Sequence, residues 1–182
     1  MFLSGLVVIT LQLLALNNKV DQLKSRLQMG YQAAEEARQA RQAQDYAAAA
    51  ASLTDALNLG RKPALTLHEM NNDDNQGNEA LQWLIQVCCE SAELNLEHLN
   101  NDNQARSDAW AACLFSQYTQ CKPLLLMKAV CVKQDDLLGE LQACKQLLNL
   151  SNEELSPESA ERQAISDRLA EIEKQLAPKL KQ

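Results

Sequence analysis

The chain has 182 residues, 46% of them hydrophobic and 4% aromatic, with a formal charge of −7 at neutral pH. That length suits one domain with a core of its own, or one domain plus an appended arm. The acidic balance excludes an electrostatic nucleic-acid binder, because neutralising phosphates needs a basic face that this composition cannot assemble. Five Gly and four Pro, abundant Ala, Leu and Gln, and few β-branched residues beyond the first ten positions predict an all-α protein.

Residues 1–18 carry no charge and are rich in Leu, Val and Ile. As a helix they span about 27 Å, a little less than the roughly 30 Å hydrocarbon core of a bilayer; a cleaved signal peptide ranks third for want of a basic start and a small-x-small cleavage site, which leaves two leading readings. One is a membrane anchor. Lys19, Lys24 and Arg26 follow with only Asp21 against them, which would leave the rest of the chain on the cytoplasmic or stromal side. The other is a packing or oligomer helix in a soluble cytoplasmic protein, because Leu13, Leu16, Val20, Leu23 and Leu27 step by three and four like a coiled-coil seam. Residues 1–28 are therefore set apart as an apolar N-terminal helix, and 29–182 as a helical-repeat domain.

Within that domain the pattern predicts a hairpin over 31–60, with Ala33, Ala34, Ala37, Ala40 and Ala43 on its first helix. Its second helix begins after Asp45 and ends at Gly60, with Pro63 preventing its return. The polar run 71–78 reads as a loop. A second hairpin follows over 79–120, with Asp102 as N-cap of its return helix, which runs through Ala109, Trp110, Cys113, Leu114, Gln117 and Tyr118. A third covers 123–150 and turns at Asp135-Asp136. Ser156 and Pro157 then open a helix over 157–177 whose single apolar stripe, Ile165, Leu169, Ile172 and Leu176, suits a terminal cap or, less readily, a dimerising coiled coil.

Asp45, Tyr46, Ala49, Leu53 and the run Ala56-Leu57-Asn58-Leu59 resemble the second half of a tetratricopeptide hairpin. Asp136-Leu137 precedes Leu148-Asn149-Leu150 at the interval by which Asp45-Tyr46 precedes Leu57-Asn58-Leu59, a partial internal echo. The resemblance implies stacked antiparallel hairpins in a short solenoid whose first helices line a concave groove. It thereby nominates Arg38, Gln39 and Arg41 as contacts for an acidic or amide-rich protein partner. The layout is similar to membrane-tethered tetratricopeptide assembly factors, including those that help build photosynthetic complexes.

No catalytic, metal or cofactor motif emerges. His68 and His98 stand thirty residues apart, and adjacent Cys88 and Cys89 point about 100° apart on a helix, unlike a metal-binding knuckle. A calcium loop starting at Asn72 fails because its twelfth position is Trp83. The six cysteines, Cys88, Cys89, Cys113, Cys121, Cys131 and Cys144, lie in apolar helical patterns and are expected as buried thiols in a reducing compartment. The expected function is a non-enzymatic protein interaction scaffold, without cofactor, that assists assembly of a membrane-associated complex. Two alternatives remain: a structural subunit packed through its N-terminal helix, and a cysteine-based metal or redox protein.

Overall fold

In the computed structural model the described backbone covers residues 2–70, 75–151 and 153–178, with side chains described from residue 12 onward apart from 75 and 76. These residues form seven α-helices and no strand: α1 (Phe2–Gln42), α2 (Tyr46–Met70), α3 (Asn75–Glu97), α4 (Asp102–Phe115), α5 (Cys121–Lys133), α6 (Leu137–Leu148) and α7 (Ala160–Leu176). The chain divides into two compact units, Met1–Leu84 and Ile85–Gln182, and the division falls inside α3.

The first unit is a long hairpin. Small residues let its two helices approach closely: Gly30, Ala34 and Ala37 of α1 and Ala49, Ala56, Gly60 and Ala64 of α2 are all buried. A Cβ added at Gly30 would lie 3.3 Å from both the Ala56 carbonyl oxygen and the Gly60 Cα. The helix expected to stop at Gly60 instead runs through Gly60 and Pro63 to Met70. An internal proline costs about 3 kcal/mol and a glycine about 1 kcal/mol relative to alanine. Both residues are buried, so the contacts of this face oppose those penalties. Trp83, on the first turns of α3, explains the glycines. Its indole sits where a Cβ on Gly60 would come within 2.3 Å and one on Gly30 within 3.1 Å, and Tyr31 meets the same ring edge-on at 4.7 Å.

α1 has 41 residues against 25 in α2, so sixteen, about 24 Å of helix, run beyond the hairpin. Residues 12–19 are exposed, Val20 and Leu23 are half-buried, and Leu27 is the first buried side chain. The coiled-coil-like seam is thus covered by α2 at one end and bare at the other. Among the described residues no helix is long and apolar enough to cross a membrane. An anchor at 1–18 depends largely on the side chains of 1–11, which lie outside the described residues.

The second unit contains the rest of α3 with α4 to α7 and has a continuous core that includes Cys113, Leu124, Cys131, Leu147 and Ile165. The helices of this unit are clamped to one another by polar contacts. Ser91 Oγ donates to buried Asp108 at 2.7 Å, joining α3 to α4. Lys133 Nζ, at the end of α5, donates to the Leu96 carbonyl at 2.8 Å. The Arg168 guanidinium of α7 grips Glu140 of α6 through two hydrogen bonds of 2.8 and 2.9 Å. Glu140 is 1% exposed, so the bidentate partner is what makes its charge tolerable there.

Three inter-helix turns share one construction. Gln44, Asn100 and Asp135 each take a positive φ of 50° to 62°, and each is followed by an N-cap. Asp45 accepts from the Ala48 N–H at 3.0 Å, Asn101 from Gln104 at 3.3 Å and Asp136 from Gly139 at 2.9 Å. Left-handed geometry ends one helix and the side-chain acceptor starts the next. The echo of Asp45 at Asp136 is therefore physical, and Asn101 adds a copy that the sequence concealed by using asparagine.

Several boundaries differ from expectation. Residues 75–78 belong to α3 instead of a loop, while 71–74 lie outside the described residues. Asn101 replaces Asp102 as the cap of α4. Ser159, not Ser156, caps the last helix, which starts at Ala160; its Oγ accepts from Arg162 at 3.1 Å. Ile165, Ile172 and Leu176 of α7 are buried in the second unit's own core, so this stripe is already occupied within the chain.

Candidate protein-binding groove

α4 and α6 both pack on α5, and between them opens a cavity of about 300 Å³. Leu124 and Met127 of α5, with Cys113 of α4, are buried and form its inner surface. Trp110 from α4 and Leu138 from α6 stand at the opening, 42% and 63% exposed. Trp110 meets Tyr118 edge-on with ring centroids 6.2 Å apart. On α6, Gln142 and Gln146 lie one turn apart along the same lining and add amide donors and acceptors.

One edge is polar and fixed. Arg106 of α4 donates to Gln134 at 2.8 Å and to the Asp136 carboxylate. Asp136 also caps α6 through the Gly139 N–H. That backbone bond, and then Arg106, hold its carboxyl below the usual aspartate range. Gly139 is required here by close approach, since a Cβ would fall 2.6 Å from Asp136 Oδ2 and 2.7 Å from Cys131 Sγ.

Burial pushes the Cys113 thiol up to about 12 and raises the Tyr118 phenol as well, while Asp136 is held ionised. Such a surface can receive an apolar side chain and hydrogen-bond the backbone or amides beside it.

The cysteines supply core volume. Cys88, Cys89, Cys113, Cys131 and Cys144 are buried, Cys121 is half-buried, and all six are unbridged. Desolvation raises Cys89 to about 11 and lifts Cys121, Cys131 and Cys144 above the ordinary thiol value. Among the described residues no group of three or more His, Cys, Asp or Glu side chains could hold a metal ion.

The residues nominated from sequence lie elsewhere. Arg38, Gln39 and Arg41 are on α1 in the first unit, with Arg38 3.4 Å from Glu35 one turn back; none lines the groove. Sequence reasoning missed Arg106, Leu138, Gln142 and Gln146 as a lining, and it read Trp110 and Leu114, both exposed, only as part of the helix pattern. The available signal was that α4 carries apolar residues on more than one face, too many for one core contact. No family model, curated protein or solved structure matches the chain.

Proposed function

We propose that this chain is a non-catalytic scaffold of helical hairpins that holds a segment of another protein in the α4–α6 groove and assists assembly of a membrane-associated complex. The observation that carries the proposal is the open apolar groove with Trp110 and Leu138 at its mouth. Large, rigid aromatic side chains beside an aliphatic wall make strong anchors, since they offer much contact area at low entropy cost. The repeated turn at Gln44-Asp45, Asn100-Asn101 and Asp135-Asp136 supports a repeat-type scaffold of tetratricopeptide character. Arg38, Gln39 and Arg41 remain the candidate contacts of the first hairpin. The bare end of α1 is the candidate attachment to the membrane.

Photo-crosslinking tests the groove. A photoreactive residue at Trp110 or Leu138 should give a discrete protein adduct in native extracts, and one at exposed Lys174 should not. Adding Gln142→Ala and Gln146→Ala should reduce the adduct severalfold. Equal labelling at all three positions would remove the groove from consideration.

A further inference from the structure

Building on that scaffold reading, we infer that the end of α1 beyond α2 is an insertion arm for an anionic lipid bilayer, with Lys19, Lys24 and Arg26 as its headgroup collar. The helix leaves the α1–α2 hairpin and continues for about 24 Å. On that stretch Leu13 and Leu16 are 56% and 48% exposed, with Leu14 between them exposed as well. In the sequence, residues 2–16 contain eleven apolar residues and no charge, and the exposed Leu13, Leu14 and Leu16 alone spread over about 160° of the helix at 100° per residue. A single-stripe seam fits a helix in a two-stranded coil. An exposed apolar face wider than one stripe, continued in the sequence by an uncharged apolar run, calls for a surrounding apolar medium.

Charge selects the surface. Lys19, Lys24 and Arg26 are all exposed within about 10 Å of helix directly after the apolar run, against one acid, Asp21. Residues 1–28 thus carry +2, and with −7 for the whole chain the remainder carries −9. An anionic surface attracts the base of the arm and repels the rest, which favours end-on insertion. The same cations disfavour a second copy as occupant: aligned on the Leu13, Leu16, Val20, Leu23 and Leu27 seam, Lys19, Lys24 and Arg26 all occupy flanking positions, where two arms would set like charges together.

The test is co-sedimentation of the full chain with phosphatidylcholine vesicles, with or without about a third phosphatidylglycerol. We expect binding to the anionic vesicles that weakens in high salt. Leu13→Asp with Leu16→Asp should lower it at least tenfold, with helical circular dichroism unchanged because both residues are exposed. Replacing Lys19, Lys24 and Arg26 by Gln should cost roughly fivefold per cation on anionic vesicles and little on neutral ones. A Leu13→Trp variant should gain a blue-shifted emission, quenched by brominated acyl chains. No binding to either vesicle, or a soluble oligomer that the two Asp substitutions dissociate, would overturn the proposal. Trp110→Ala should leave vesicle binding intact, so failure of the groove and failure of the arm give different results.

Discussion

Gly60 shows how a residue's value can reverse between sequence and structure. By helix propensity, Gly60→Ala inside a helix should stabilise by about 1 kcal/mol. The Trp83 indole lies 2.3 Å from where that methyl would be, and forcing it into a filled site costs about 1–3 kcal/mol. Chemical denaturation should therefore find Gly60→Ala destabilised; a gain would mean that Trp83 yields freely. Asp136 makes a pH-dependent prediction. Its carboxyl is held low by the Gly139 N–H and Arg106, so its contribution is fully present above the unfolded-state value near 4. It is lost as pH falls through the lower folded value. Asp136→Asn keeps a capping oxygen but loses the charge, so it should cost about 1 kcal/mol at pH 7. The difference between the two proteins should shrink as the pH is lowered below 4, as read from denaturation midpoints.

At the scale of elements, the three Asx-capped turns invite a backbone test. Gln44 holds φ 62° with a Cβ, a conformation that costs an ordinary residue about 1–2 kcal/mol and glycine almost nothing. Gln44→Gly should raise stability by about 0.5–1 kcal/mol, whereas the same change at Asn100 should give less, since asparagine tolerates this region. Thermal unfolding of the two variants makes the comparison. These turns were partly readable: Asp45 and Asp136 announce caps, and the alanine-rich spacing of α1 announces a close helical pair. The passage of α2 through Gly60 and Pro63 was not readable. Both residues are buried, and Gly60 packs under a tryptophan 23 residues further along, whereas local rules for glycine and proline see only their own neighbourhood. Ser156 and Ser159 both suit the cap of α7 by residue type, and Ser159 takes it, its Oγ accepting from the Arg162 N–H while donating to the Ser156 carbonyl. The groove escaped notice for a related reason. Trp110 and Leu114 continue the apolar pattern of α4, and no periodicity tells which of two apolar faces is covered.

For the whole molecule, the all-α class followed from composition, and the six cysteines act as filling in its helical core. Their burial and raised thiol values predict slow chemistry. A chromogenic disulfide at pH 8 should titrate at most the half-buried Cys121 in the folded protein and all six thiols in denaturant. Rapid reaction of several thiols without denaturant would mean that the second unit opens readily. The two tryptophans divide between the two units: Trp83 is half-buried against Gly30, Gly60 and Tyr31, and Trp110 stands exposed at the mouth of the groove. Each unit therefore carries one intrinsic fluorophore in a distinct environment. Emission from single-tryptophan variants can follow the hairpin and the groove separately, without an added label, while the protein unfolds or takes up a partner.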